Sequence, residues 1–250
     1  PFLKALDGLQ SLRKSAETSK EIPTDAMVPA ALGLQADRPN FNPFVNHLLT
    51  LYSQSRFSNA GTRGLDAVGE LTYVSTLLDE KLRPALLAGD FRLVVISGNA
   101  GDGKTAFIQQ FERYAEADGS EIHRGINGAI FKLGSRTFQS NYDGSQDEGE
   151  ERNDAVLLKF FAPFTGDNES QWPKDQTRII AINEGRLVDF LMEHEGSFPY
   201  LARTIQDGLA GAGSANGVAV INLNLRSVVT GHNGVESIFE RLIRRMTQED

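Results

Sequence analysis

The chain contains no cysteine. Disulfide bridges and thiolate metal centres are therefore excluded, and a cytoplasmic setting is expected. Its four histidines, His47, His123, His194 and His232, show no pair at helical or strand ligand spacing, so no zinc site is expected. No window approaches the ~20 continuous apolar residues of a membrane span, and no basic head with an apolar run marks a signal peptide. An excess of basic charge is also missing. The net charge of −8 supplies no bulk electrostatic surface for nucleic acid, and Arg241, Arg244 and Arg245 on one helical segment are read as a solvated face. The first residue is Pro1 rather than Met, and Asp250 follows directly on a helix-like segment. The expectation is a piece of a longer protein, whose other domains or partner subunits would be its natural contacts.

What is present is ordinary globular material: 250 residues, 40% apolar and 23% charged, enough for a full core. Residues 1–60 are expected to form an N-terminal helical segment. It has an apolar start (Phe2, Leu3, Leu6, Leu9, Leu12), a proline-rich irregular stretch, and a helix opened by Asn42-Pro43. Residues 61–250 are expected to form the core. Leu71, Val74, Leu77, Leu78, Leu82 and Leu86 recur at helical spacing between Glu70 and Ala88, with Gly89 as terminator. "RLVVIS" at 92–97, "GAIFKL" at 128–133, "RIIAIN" at 178–183 and "GVAVINLNL" at 217–225 read as strands. The run "SRTFQSNYDGSQDEGEERND" reads as polar loop. Helical segments lie between the strands and close the chain. Strands alternating with helices from Arg92 onward predict an α/β fold with a mainly parallel central sheet covered on both faces.

Between the first strand and the next helix stands Gly98-Asn99-Ala100-Gly101-Asp102-Gly103-Lys104-Thr105-Ala106, which contains G-x-x-x-x-G-K-[ST]. Glycines let a backbone wrap closely round phosphates so that successive N–H groups point inward. The helix beginning there adds the positive end of its dipole. Lys104 is placed to reach β- and γ-phosphates, and Thr105 to offer its hydroxyl to Mg²⁺. The guanine-reading [NT]-K-x-D loop and the L-S-G-G-Q signature are both absent.

On these residues the chain resembles the P-loop NTPases, and more narrowly the AAA+ and STAND ATPases, over residues 61–230. The resemblance implies a three-layer P-loop fold, ATP and Mg²⁺ as ligands, and ATP hydrolysis that drives or gates change in a larger protein. The "TRG" around Arg63 looks like the upstream signature that packs over the adenine in those families. "SGNAGDGKTAF", "NYDGSQD" and "INEGRL" together look like the ATPase portion of large bacterial phage-defence proteins, some joined to a protein kinase. The helical lid that follows the core in AAA+ proteins does not fit within Asp250.

In ATPases with a catalytic glutamate, a strand beside the P-loop strand ends in Asp-Glu. Here "IIAINE" takes that place in strand order. Glu184 is then the water-activating base, and Asn183 stands where the magnesium aspartate is expected, serving the ion through water. Asn222, Asn224 or Arg226, from the last strand, become the sensor. The alternative shifts the assignment by one strand, making Asn183 the sensor and drawing the acids from "NYDGSQDEGEE". Asp143 or Asp147 would otherwise fold back to supply the charge that Asn183 lacks. A regulatory nucleotide-binding domain with little turnover, or a P-loop phosphotransferase, are the competing functions.

Overall fold

The computed structural model describes residues 73–99, 101–148, 152–212, 214, 216–231 and 236–247. Arg63, Ala100 and the expected helical segment 1–60 lie outside the described residues.

The helix expected over Glu70–Ala88 starts later, because Thr76 and Asp79 cap it. The amide of Leu78 donates to Thr76 Oγ1 at 3.3 Å, and the amide of Thr76 donates to Asp79 Oδ2 at 2.8 Å. This reciprocal pairing satisfies the first orphan donors of a helix and marks its start. The Tyr73 hydroxyl also donates to Asp79, at 2.7 Å, which fixes the approach. A π-helical turn at Leu78–Leu82 leads into α1 (Arg83–Ala88), and Gly89 ends it at φ 79°, a left-handed conformation that glycine adopts without cost.

Six strands make one sheet: β1 (Leu93–Ser97), β2 (Ile122–Arg124), β3 (Ala129–Leu133), β4 (Arg136–Asn141), β5 (Gln176–Ile182) and β6 (Val218–Asn222), in the order β2-β3-β4-β5-β1-β6. β1 runs parallel to both β5 and β6, and β4 parallel to β5. β2 with β3 and β3 with β4 are antiparallel. The α/β class thus holds, but the sheet is mixed rather than mainly parallel. The cause is local. Gly134 and Ser135 alone separate β3 from β4, and a two-residue connection can join only antiparallel neighbours. β4 lies inside the run expected to be loop. Its polar residues hid it: Ser140 and Asn141 are buried but hydrogen-bonded, so the strand carries little of the apolar pattern that marks one.

β1 shows how the layers form. Leu93 and Val95 enter one core, Val94 and Ile96 the other, as strand alternation requires, and all four are fully buried. α1 and α2 (Lys104–Ala117) cover one face, through Leu86, Phe107, Ile108 and Phe111. α3 (Asn153–Phe161), α4 (Glu184–Glu193) and α5 (Pro199–Asp207) cover the other, with Phe161, Phe190, Phe198 and Trp172 packed among them. Each such side chain contributes about 1.5–3 kcal/mol on burial. α6 (Ile238–Thr247) closes the described chain. Among the described residues, no helix is long and apolar enough to cross a membrane.

Gly128 sits where the segment before β3 presses on β4. A Cβ there would stand 2.1 Å from the Ser140 carbonyl oxygen, which is backbone and cannot swing aside. Gly128→Ala is expected to destabilise the fold by about 2–3 kcal/mol, read from the urea midpoint.

Candidate functional site

The C-terminal end of β1 is held between two parallel neighbours, so the loop after Ser97 opens at the same sheet edge as the ends of β5 and β6. Ser97 stands in register with Ile182 on one side and Asn222 on the other. Gly101 and Gly103 take φ angles of 87° and 83°, left-handed values that turn the loop into α2. Gly98 is required for another reason. A Cβ on it would meet the Asp102 carboxylate at 2.6 Å. That carboxylate accepts from the Asn99 amide, closing the loop on itself.

Lys104 opens α2 and folds back over the loop. Its ammonium donates to the carbonyls of Gly98 at 2.8 Å and Asn99 at 2.6 Å. Partial burial pulls its pKa down, while the carboxylates of Asp102 and Asp143 oppose that by favouring the charged form. Arg226, just past β6, donates from Nη2 to the Asp102 carbonyl at 2.7 Å and so clamps the loop from the opposite side. Two buried polar atoms next to the loop, Ser97 Oγ and Arg226 Nε, have no hydrogen-bond partner among the described residues.

The acidic candidates fall into two groups. Asp143 directly follows Tyr142 at the end of β4, within electrostatic reach of Lys104. Its amide donates to Asn141 Oδ1, its carbonyl accepts from Asn127 Nδ2 at 2.9 Å, and its carboxylate accepts from the Ser145 amide at 3.0 Å. Asp147 is engaged elsewhere: its carboxylate accepts from the Asn153 amide at the start of α3. The ends of β4 and β5 are tied by Gly144 N–H donating to the Ala181 carbonyl, and by Asn183 N–H donating to Ser145 Oγ. The acids of the "NYDGSQD" stretch therefore do follow a strand, contrary to the loop expected there.

Asn183 is the N-cap of α4. Its side-chain oxygen accepts from the Gly185 amide at 2.9 Å, the usual use of an asparagine at a helix start. Glu184 lies in the first turn of α4 and reaches towards β6. Its Oε2 accepts from Asn222 Nδ2 at 2.9 Å and Asn224 Nδ2 at 3.3 Å. The expected base and two of the expected sensor residues thus form one cluster. Among the described residues, no hydrogen bond joins that cluster to Lys104.

Sequence reading missed Tyr142 and Glu112. The Tyr142 carbonyl accepts from the Thr105 hydroxyl at 2.9 Å, and its phenol donates to Glu112 Oε2 at 2.7 Å. A signal for Glu112 was present: it is an acid within the buried stripe of α2 formed by Phe107, Ile108, Phe111 and Ala115. The fold also brings Asp154, Glu193 and His194 together, with ligand atoms within 4.8 Å of one another. Arg186 pairs with Asp154 there and Glu193 is exposed, which gives a polar surface cluster.

Compared with protein-family models, curated proteins and solved structures, the chain finds no match.

Burial raises the Glu112 carboxyl above the ordinary glutamate value of 4.5, against the opposing pull of the Ser140 and Tyr142 hydroxyls. A carboxyl whose folded pKa is raised contributes stability below its unfolded value, and that contribution is lost as pH rises through the folded value. Thermal melts through the carboxylate range should therefore show the wild-type midpoint falling, relative to Glu112→Gln, as pH rises. A constant difference between the two would contradict the raised pKa.

Proposed function

We propose that this chain is an ATP-binding and ATP-hydrolysing P-loop module, with Mg²⁺ as its metal. The observation that carries the reading is the unit β1–loop–α2. A fully buried strand delivers a glycine-turned loop to a helix N-terminus, with Lys104 lying across the loop's own carbonyls. Such a loop offers backbone N–H groups, a helix dipole and an ammonium to an anion of phosphate size. The two orphaned polar atoms beside it support a polar ligand at that place.

Within this reading, Lys104 exchanges its loop carbonyls for the β- and γ-phosphates. Thr105 and Asp143 would hold the ion, since hydroxyl and carboxylate oxygens are the hard donors that Mg²⁺ takes. Thr105 directs its proton to the Tyr142 carbonyl, which leaves its oxygen as a lone-pair donor. When bound, Mg²⁺ would neutralise charge on the transferred phosphoryl group. Asp143 takes the metal-side role in preference to Asn183, whose one side-chain oxygen is committed to the α4 cap, and to Asp147, because Asp143 lies within electrostatic reach of Lys104. Glu184 is the water-side carboxylate, oriented by the amides of Asn222 and Asn224. Arg226 steadies the loop through the Asp102 carbonyl.

Coupling to a larger protein and a setting in phage defence rest on the resemblance, and a cytoplasmic setting on the absence of cysteine. One observation favours a second reading, a regulatory nucleotide-binding domain with little turnover. Glu184 is held by the amides of Asn222 and Asn224, and among the described residues no hydrogen bond joins that cluster to Lys104.

ATP binding and phosphate release measured on wild type and three variants test the assignment. Lys104→Ala should abolish binding. Glu184→Gln should keep binding and slow release by about 100-fold or more, the range for losing a general base. Asp143→Asn should lose the Mg²⁺ dependence of both. Release that survives Glu184→Gln but not Asp143→Asn would move the assignment by one strand and make Asn183 the sensor. Binding that survives Lys104→Ala would sink the phosphate-loop reading. Binding without release in wild type would establish the regulatory domain, and phosphate passed to a metabolite would establish a phosphotransferase.

A further inference from the structure

One buried carboxyl group touches no part of the loop and yet is hydrogen-bonded to the residues that lead to Asp143. Glu112 is 1% exposed, on the face of α2 that packs against β4. Both of its oxygens are used: Oε1 accepts from Ser140 Oγ at 2.6 Å and Oε2 from the Tyr142 phenol at 2.7 Å. Ser140 and Tyr142 are two residues apart on an extended chain, so their side chains share one face. Ser140 Oγ is itself fixed, because it accepts from the Ala129 amide at 2.8 Å.

Thr105 and Glu112 are seven residues apart on α2, two helical turns, and so lie on one face of the helix. That face is stitched to β4 through Ser140 and, at two points, through Tyr142 just past the strand's end. Thr105 bonds its carbonyl and Glu112 its phenol. Asn127 adds a third restraint, because its carbonyl accepts from the Tyr142 amide at 3.0 Å. The residue after Tyr142 is Asp143. Packing alone does not call for an acid here, since an apolar side chain fills a buried place without the cost of desolvating a carboxylate. A carboxylate with two directional hydroxyl partners does something packing cannot: it sets the sliding register of α2 along β4.

We propose that Glu112 is a positioning residue for the divalent cation. Through Ser140 and Tyr142 it fixes the spacing between the Thr105 hydroxyl and the Asp143 carboxylate. The inference rests on the nucleotide-binding reading above and adds a residue to it. The phosphate-binding groups, Lys104 and the loop amides, do not pass through this link. The consequence is selective: loosening Glu112 disturbs the metal dependence of binding and leaves metal-free binding intact.

The test is binding of a fluorescent ATP analogue to the chain, titrated with Mg²⁺ and repeated in EDTA. Glu112→Gln keeps the shape but has one accepting oxygen in place of two, so Ser140 and Tyr142 can no longer both donate to it, and its melt reports whether it folds. Expected is a rise of about tenfold or more in the Mg²⁺ needed to tighten binding, as for other groups behind a metal ligand, with EDTA affinity within about twofold of wild type. Tyr142→Phe, which deletes one arm, should shift the Mg²⁺ requirement the same way by less. The double variant should shift no further than Glu112→Gln alone, because the two act through one link. An unchanged Mg²⁺ requirement in both single variants overturns the inference, as does a parallel loss of binding in EDTA. If Glu112→Gln fails to fold, Tyr142→Phe decides by the same criteria. If wild type itself binds no analogue in EDTA or Mg²⁺, the nucleotide reading falls and this inference with it. If wild type binds and responds to Mg²⁺ while the variants match it, only the inference falls.

Discussion

Everything at the candidate site depends on β1 being buried on both faces and paired in parallel on both edges. Parallel pairing aligns C-terminal ends, so Ser97, Ile182 and Asn222 finish side by side and whatever follows each strand opens at one edge of the sheet. The loop with Lys104, the first turn of α4 with Glu184, and the turn with Asn224 and Arg226 are neighbours for that reason. Helix termini meet the same edge, and their unpaired N–H groups make it the place where an anion is best received.

Around that edge the polar groups are arranged in two sets that the sheet order keeps apart. On one side, the chain leaving β4 carries Asp143 and is bonded to α2 through Tyr142. On the other, β6 supplies Asn222 and, in the short turn after it, Asn224, which together hold Glu184. Lys104 and Arg226 act on the loop between them, one on the carbonyls of Gly98 and Asn99 and the other on that of Asp102. Lys104, Asp143 and Glu184 therefore rest on different elements of the fold.

Much of this was legible in the residues. The stretch 92–105 carries its own local instructions: an apolar strand, glycines for left-handed turns, and an amphipathic helix, and the structure follows them almost to the residue. α3, α4, α5 and α6 were likewise visible from apolar spacing. β4 was not, because Arg136, Ser140 and Asn141 satisfy their polar groups inside the fold and, with Thr137 and Gln139, look like loop when taken one by one. The late start of the helix at Leu77 was hidden too, since Leu71 and Val74 continue the apolar spacing upstream of a cap that Thr76 and Asp79 impose.

Short-range physics accounts for what the sequence determined by itself: the glycine-turned loop between β1 and α2, the class of fold, and the identity of the polar residues available at strand ends. These depend on backbone conformation and periodicity within a few residues, which the residue types carry directly. Which of those residues meet was decided only in three dimensions. That Asp143 rather than Asp147 stands near Lys104, and that Glu112 reaches Tyr142 thirty positions away, both follow from strand order and from how α2 lies on β4. Pairing between distant strands is a balance of burial and loop closure over the whole chain, and no window of sequence contains it.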